Sequence, residues 1–161
     1  MIYIAHRGLF EGYNEERENH PDQIRAALAA GFDVELDVRL IGGKWWLGHD
    51  RPDHEVDDQF LLQNGLWIHC KNFEALVALR DLQLFPFEEQ PNYFWHQNDD
   101  FTLTSGGFIW TYPGKPVDPR CGVLNQPEWT KGWSDDVNFT AYGVCSKFVG
   151  LIRDLHRASR R

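Results

Sequence analysis

Ile2-Tyr3-Ile4-Ala5-His6-Arg7-Gly8 reads as a short buried strand that delivers an imidazole and a guanidinium at its carboxyl end, where parallel α/β sheets place their chemistry. Outward from it, Phe32-Asp33-Val34-Glu35-Leu36-Asp37-Val38 has the same strand character, and Glu35 and Asp37, two apart, project from one face. Val34, Leu36 and Val38 take the other face, toward covering helices. Both acids are then expected to point inward, where unpaired charge is very costly. A cation between them relieves the repulsion, and hard oxygen ligands suit Mg2+ or Ca2+. Arg7 matches phosphate oxygens through its planar fork, unless it simply pairs with Glu35 or Asp37. His49-Asp50, after Leu47-Gly48, adds a second imidazole, so that His6 and His49 supply an acid and a base near neutral pH. The combination argues for metal-assisted cleavage of a phosphate ester.

Ile4-Ala5-His6-Arg7-Gly8, Glu18-Asn19-His20-Pro21, an Ala-rich helix ending at Gly31, the Glu35-Leu36-Asp37 strand and Leu47-Gly48-His49-Asp50 together resemble the glycerophosphodiester phosphodiesterase family, within the phosphatidylinositol-phospholipase-C-like superfamily. The resemblance covers residues 2–50 and weakens beyond. Leu66-Trp67-Ile68-His69-Cys70-Lys71 looks like the family's next strand, which carries an acidic metal ligand two residues before a lysine; here His69 replaces the acid and Lys71 is kept. The resemblance implies a TIM-type (β/α) barrel and a divalent metal on Glu35 and Asp37, with His69 as third ligand, as a group reaching the metal through water, or as a structural substitute. It also implies phosphate contacts from Arg7 and Lys71, and a small-molecule phosphodiester substrate such as a glycerophosphodiester or related lipid head group. Glu18 is read either as an aid to the metal or a catalytic histidine, or as a loop cap.

At 161 residues and 18.8 kDa the chain is short for a complete eightfold barrel. Strands are expected at 2–5, 33–39, 66–71, 92–96, 107–112, 121–124 and 141–145, with 44–48 returning as a hairpin arm after Gly42-Gly43. The later intervals are too short for a strand-spanning helix. The expectation is therefore a single-domain α/β fold over residues 1–161, a reduced or incomplete (β/α) TIM-type barrel. Its seven or eight mostly parallel strands would have several helices replaced by loops. Full helices are placed at 21–31 and 72–83, the second capped by Asn72, striped by Phe73, Leu76, Val77 and Leu79, and closed by Pro86. Shorter pieces fall at 55–63, 126–132 and 146–158, the last carrying Leu151, Ile152 and Leu155 and a basic end with Arg153, Arg157, Arg160 and Arg161.

A net charge of −8 argues against broad nucleic-acid binding. No apolar run approaches the roughly 18 residues of a membrane span, and the first residues do not read as a signal peptide, which points to the cytoplasm. Cys70, Cys121 and Cys145 are odd in number and far apart, so buried thiols are favoured over disulfides or structural zinc. Trp95, Trp110 and Tyr112, with His96, Gln97 and Lys115, form either a substrate wall and its rim or the filling of a small core; filling is favoured for most of the rings. Asp99 and Asp100 read as a further metal ligand or as turn chemistry, His20 and His54 as loop residues, and His156 as a tail residue.

The reading that follows is a metal-dependent phosphoric diester hydrolase using His6 and His49. The alternatives are a lyase that stops at a cyclic phosphate and a non-catalytic phosphate-binding barrel.

Overall fold

The computed structural model describes residues 1–82, 90–133 and 140–159. In chain order it contains β1 (Ile2–His6), α1 (Pro21–Ala29), β2 (Asp33–Ile41), β3 (Lys44–Leu47), β4 (His54–Val56), α2 (Asp58–Leu61) and β5 (Leu66–Cys70). These are followed by α3 (Phe73–Leu82), β6 (Asn92–Trp95), β7 (Phe101–Leu103), β8 (Ile109–Thr111), β9 (Gly122–Asn125), β10 (Gly143–Ser146) and α4 (Val149–Ala158). The strands form one mixed sheet. Its central run is β6-β5-β2-β1-β10-β9-β8-β7, and β3 and β4 extend antiparallel from the far half of β2.

This corrects the expected TIM-type barrel. The chain makes a ten-stranded sheet curled into a half-barrel, with antiparallel pairs β2–β3, β3–β4 and β7–β8 among the parallel ones. Two local causes are visible. Residues 54–56, of which 55 and 56 are expected to open a helical piece, pair with Leu47-Trp46-Trp45 as β4, because the Asp57 carboxylate caps the Phe60 amide and starts α2 only after it. Residues 101–103, expected to lie in a loop, instead return along β8 as an antiparallel hairpin strand. The sheet's two ends approach without forming a ladder. Tyr93 N donates to Ser105 Oγ at 2.9 Å, Ser105 N to Tyr93 O at 2.8 Å and Thr102 Oγ1 to Trp95 O at 2.9 Å.

The helices cover the convex face. Pro21 begins α1, where its missing N–H costs nothing, and the His20 ring accepts from Asp22 N at 3.2 Å as the cap. Asn72 Oδ1 accepts from Ala75 N at the start of α3 and also from Leu40 N, tying that helix to β2. The buried positions of α3 are Ala75 and Leu79; Phe73 and Val77 of the expected stripe are exposed. Residue 83 and Pro86 lie outside the described residues, as do Arg160 and Arg161 of the basic end. On α4 the buried face is Val149, Ile152 and His156, with Leu151 outward. The 126–132 piece reduces to a 3-10 turn at Pro127–Trp129.

Alternation divides the strand residues into two layers. Val34, Leu36 and Val38 meet Ile24, Ala27, Ala75, Leu79 and Ile152 beneath the helices. Ile4, Trp67, Phe94, Trp110, Val123 and Cys145 pack together on the concave side as the floor of the curl. Two residues further along several of these strands, on the same face, stand His6, His69, His96, Tyr112, Asn125 and Lys147. Among the described residues, no helix is long and apolar enough to cross a membrane.

Candidate functional site

A cavity of about 420 Å3 opens above that floor, and His6, Arg7, Glu35, Asp37, His49, His69 and Lys71 all line it. Backbone register accounts for the convergence: His6 pairs with Glu35 across β1 and β2, and Asp37 with His69 across β2 and β5. Lys71 follows β5 and is held by its amide bond to Val38 O at 2.8 Å. His49 is carried by the loop after β3. Arg39 Nη2 donates to its carbonyl at 2.6 Å, and Arg39 Nη1 donates to Gly48 O. Gly48 itself is required there, because at φ +142° a Cβ would sit 2.1 Å from Arg51 O.

Glu35 and Asp37 are buried together, as their inward alternation implies. Glu35 Oε2 accepts from Arg7 N at 3.0 Å and lies 3.7 Å from His6 Nε2. Asp37 Oδ2 accepts from Asn19 Nδ2 at 3.0 Å and faces Arg7 Nε at 3.2 Å, while Asp37 N donates back to Asn19 Oδ1 at 2.9 Å. Arg7 Nη1 donates to Glu18 Oε2 at 2.6 Å, and Glu18 Oε1 also binds Lys147 Nζ. Arg7 and Asn19 both adopt left-handed backbone, with φ +53° and +55°, at the points where their side chains turn onto Asp37. Glu18 therefore serves as a bridge between two cations.

Burial, and then the Asp37 charge beside it, push the Glu35 carboxyl up to about 7. Burial works against the Asp37 charge too, but a protonated His69 donating from Nδ1, together with Arg7 and Lys71, outweighs it and holds that carboxyl well below the usual range. The His6 imidazole is lowered well below its ordinary value by burial and then by Arg7, which keeps it neutral at pH 7. Half-buried His49 is also lowered, by burial first, although Asp50 Oδ1 at 2.8 Å from its Nδ1 favours the protonated ring.

Whether these residues fit a metal is decided at His69. Its Nε2 lies 2.9 Å from the His96 carbonyl, which can only accept, so Nε2 carries a proton. In the neutral ring Nδ1 then turns a lone pair toward Asp37 Oδ1 at 3.1 Å and Glu35 Oε1 at 3.7 Å. With that ring neutral, Asp37 Oδ1 is buried without a hydrogen-bond donor, though Lys71 Nζ stands 3.7 Å away. Ligand atoms of Glu35, Asp37 and His69 lie within 4.8 Å of one another. A cation among them would satisfy all three, and a ligating histidine with its second nitrogen on a backbone carbonyl is an ordinary outer-shell arrangement. The donor set fits a divalent ion.

Other residues agree with their sequence reading only in part. Trp95, Trp110, Tyr112, His96 and Gln97 line the cavity, with Trp110 also part of the floor, so wall and filling are combined in one ring. Lys115 instead pairs with Asp100 at 2.9 Å on the surface, away from the acids. His156 is no tail residue: it is buried, with Nδ1 2.6 Å from the Tyr3 hydroxyl. The His20 and His54 rings pack edge to face at 4.8 Å. All three cysteines are free; Cys70 and Cys145 are buried, Cys121 only partly.

Sequence reasoning missed Asn125, Gln126 and Trp129, which line the far side of the cavity, and Lys147, which anchors Glu18. For Asn125 a signal existed. It is the first polar residue after Gly122-Val123-Leu124, just as His6 ends its own apolar run. Comparisons of the chain with protein-family models, with curated proteins and with solved structures give no match, so the site rests on its own geometry.

Proposed function

We propose that the chain is a metal-dependent phosphoric diester hydrolase that cleaves a glycerophosphodiester or a related lipid head-group diester to an alcohol and a phosphomonoester. The observation that carries this reading is the cluster of Glu35, Asp37 and His69 Nδ1 around a buried carboxylate oxygen without a hydrogen bond, in a cavity also lined by Arg7, Lys71, His6 and His49. A divalent cation, Mg2+ or Ca2+, held by Glu35, Asp37 and His69 would polarise a phosphoryl oxygen and lower the pKa of a bound hydroxyl. Arg7 and Lys71 bind the remaining phosphate oxygens and stabilise the charge that develops on them. Neutral His6 takes the proton from the attacking hydroxyl, whether water or the substrate's own neighbouring hydroxyl. His49 in its protonated form, which Asp50 at Nδ1 favours, gives a proton from Nε2 to the leaving oxygen.

One observation favours a second reading, a non-catalytic phosphate-binding protein: His69 stands where the resemblance calls for a third acidic metal ligand, which weakens the hold on a cation. Phosphorus NMR of glycerophosphocholine and bis(p-nitrophenyl) phosphate incubated with the protein, with and without Mg2+ or Ca2+, separates the possibilities. A metal-dependent phosphomonoester is the expected product. A cyclic phosphate that persists would make the chain a lyase, and phosphate binding without turnover would establish the second reading.

A further inference from the structure

We infer that the neutral end of the cavity is a subsite for a sugar ring, so that the diester cleaved is a sugar phosphodiester; this rests on the phosphodiesterase reading above. The cavity is unequal along its length. At one end stand the acids and cations already described; at the other are Tyr112, Trp129, His96, Asn125 and Gln126. Among the described residues, the acids lining the cavity are Glu35 and Asp37, so the neutral end offers no carboxylate to a cationic alcohol.

Two features at that end specify a neutral, hydroxyl-bearing ligand. The first is unmet hydrogen bonding. Asn125 is 6% exposed and its Oδ1 has no partner among the described residues; both ring nitrogens of His96 are buried without one. Leaving such atoms unpaired is costly, and ligand hydroxyls, each both donor and acceptor, would satisfy them. A quaternary ammonium offers neither a donor nor an acceptor and would leave the same atoms unpaired. The second is shape. The rings of Tyr112 and Trp129 meet edge to face at 6.1 Å and 75°, making a corner at the rim. Trp129 is 55% exposed, held at the end of a 3-10 turn that starts from Gln126 in left-handed backbone at φ +45°. A pyranose has an apolar C–H face to lay on such an indole and hydroxyls around its edge to meet Asn125 and His96. A cavity of about 420 Å3 has room for one ring and a phosphate within the usual size of small-molecule sites.

The test is calorimetric titration of the Mg2+-loaded protein with glucose 1-phosphate, phosphocholine and inorganic phosphate. Glucose 1-phosphate should bind about tenfold tighter than either other probe, a difference of the size one well-made subsite contributes. Trp129→Ala and Asn125→Leu should abolish that advantage and leave inorganic phosphate affinity unchanged. Trp129 is exposed, so its variant tests the idea even if Asn125→Leu does not fold. Phosphocholine binding as tightly as glucose 1-phosphate, or a sugar advantage that survives Trp129→Ala, overturns the inference. If no phosphate binds, the phosphodiesterase reading fails on its own. The sugar subsite then stands or falls on saturation-transfer NMR with methyl α-glucoside: a signal that Trp129→Ala removes supports it, and no signal in the unaltered protein overturns it.

Discussion

The β1-β2-β5 side of the curled sheet and the β8-β9 side are built on the same apolar floor yet carry opposite chemistry one layer above it. On the first side the layer is ionic: His6, Glu35, Asp37, His69 and Lys71 share the cavity wall with Arg7. On the second it is neutral, with Tyr112, Asn125 and Gln126. The floor beneath is indifferent, running from Ile4 and Trp67 to Trp110 and Val123. Folding and chemistry are thus separated by a two-residue step along β1, β5, β8 and β9, while β2 gives both Glu35 and Asp37 to the upper layer. A substitution in the upper layer should alter binding and catalysis on its own side while the layer below continues to hold the sheet.

The contrast is broken most severely by removing an imidazole. His6→Ala or His49→Ala should lower phosphodiester turnover by roughly 10²-fold or more, measured on glycerophosphocholine with metal present. Because the two act in one step, the double variant should be little worse than either single one. An aryl leaving group needs little protonation, so it should partly rescue His49→Ala and not His6→Ala. Rescue in the reverse sense would exchange their roles.

A milder break comes from the acids. Asp37→Asn should abolish calorimetric binding of Mg2+ and Ca2+, whereas Asn125→Leu on the neutral side should leave it unchanged. His69→Glu should tighten binding of both ions, since it replaces one nitrogen donor by a carboxylate. Retained binding in Asp37→Asn would place the ion elsewhere.

Protons sharpen the comparison further. Glu35 titrates near 7 rather than at its ordinary value of 4.5, with burial the first cause, and a cation must displace its proton. Metal affinity should therefore rise from pH 6 to pH 8, with proton release at the lower pH that Glu35→Gln removes. In the metal-free protein the sign is equally defined. A carboxyl whose folded pKa is raised stabilises the fold fully below 4.5 and loses that contribution as pH rises through about 7. Relative to Glu35→Gln, the unaltered protein should thus lose melting temperature across that window, and added metal should restore it. The same scan of Asn125→Leu should retain the slope of the unaltered protein.

Much of the ionic side was legible because each of its residues ends or alternates within an apolar strand. The period-2 pattern of Val34-Glu35-Leu36-Asp37-Val38 has only one solution in which Leu36 is buried under a helix and Asp37 is not left in solvent. The architecture was less legible. Phe101 and Leu103 flank the inward Thr102 and are themselves exposed, so β7 lacks the hydrophobic signature of a strand and is defined only by its pairing with β8. Curvature is likewise a property of how pairs twist together, and no residue announces that the sheet curls without closing as a parallel barrel. Tyr112 and His96 of the neutral side read as a possible wall and rim, but its amides were hidden for a different reason. Amides such as Asn125 and Gln126 are common in turns, and only the fold shows that these two face a cavity.

Arg7, Asn19 and Gln126 are the non-glycine residues with left-handed backbone among those described, and Arg7 and Gln126 border the cavity while Asn19 holds Asp37. Such a conformation costs a side-chain-bearing residue about 1–2 kcal/mol. Glycine would relieve the strain at each position but would erase a guanidinium or an amide. The three positions therefore mark where conformational comfort has been surrendered to chemistry, and where a search for greater thermal robustness would trade away the site.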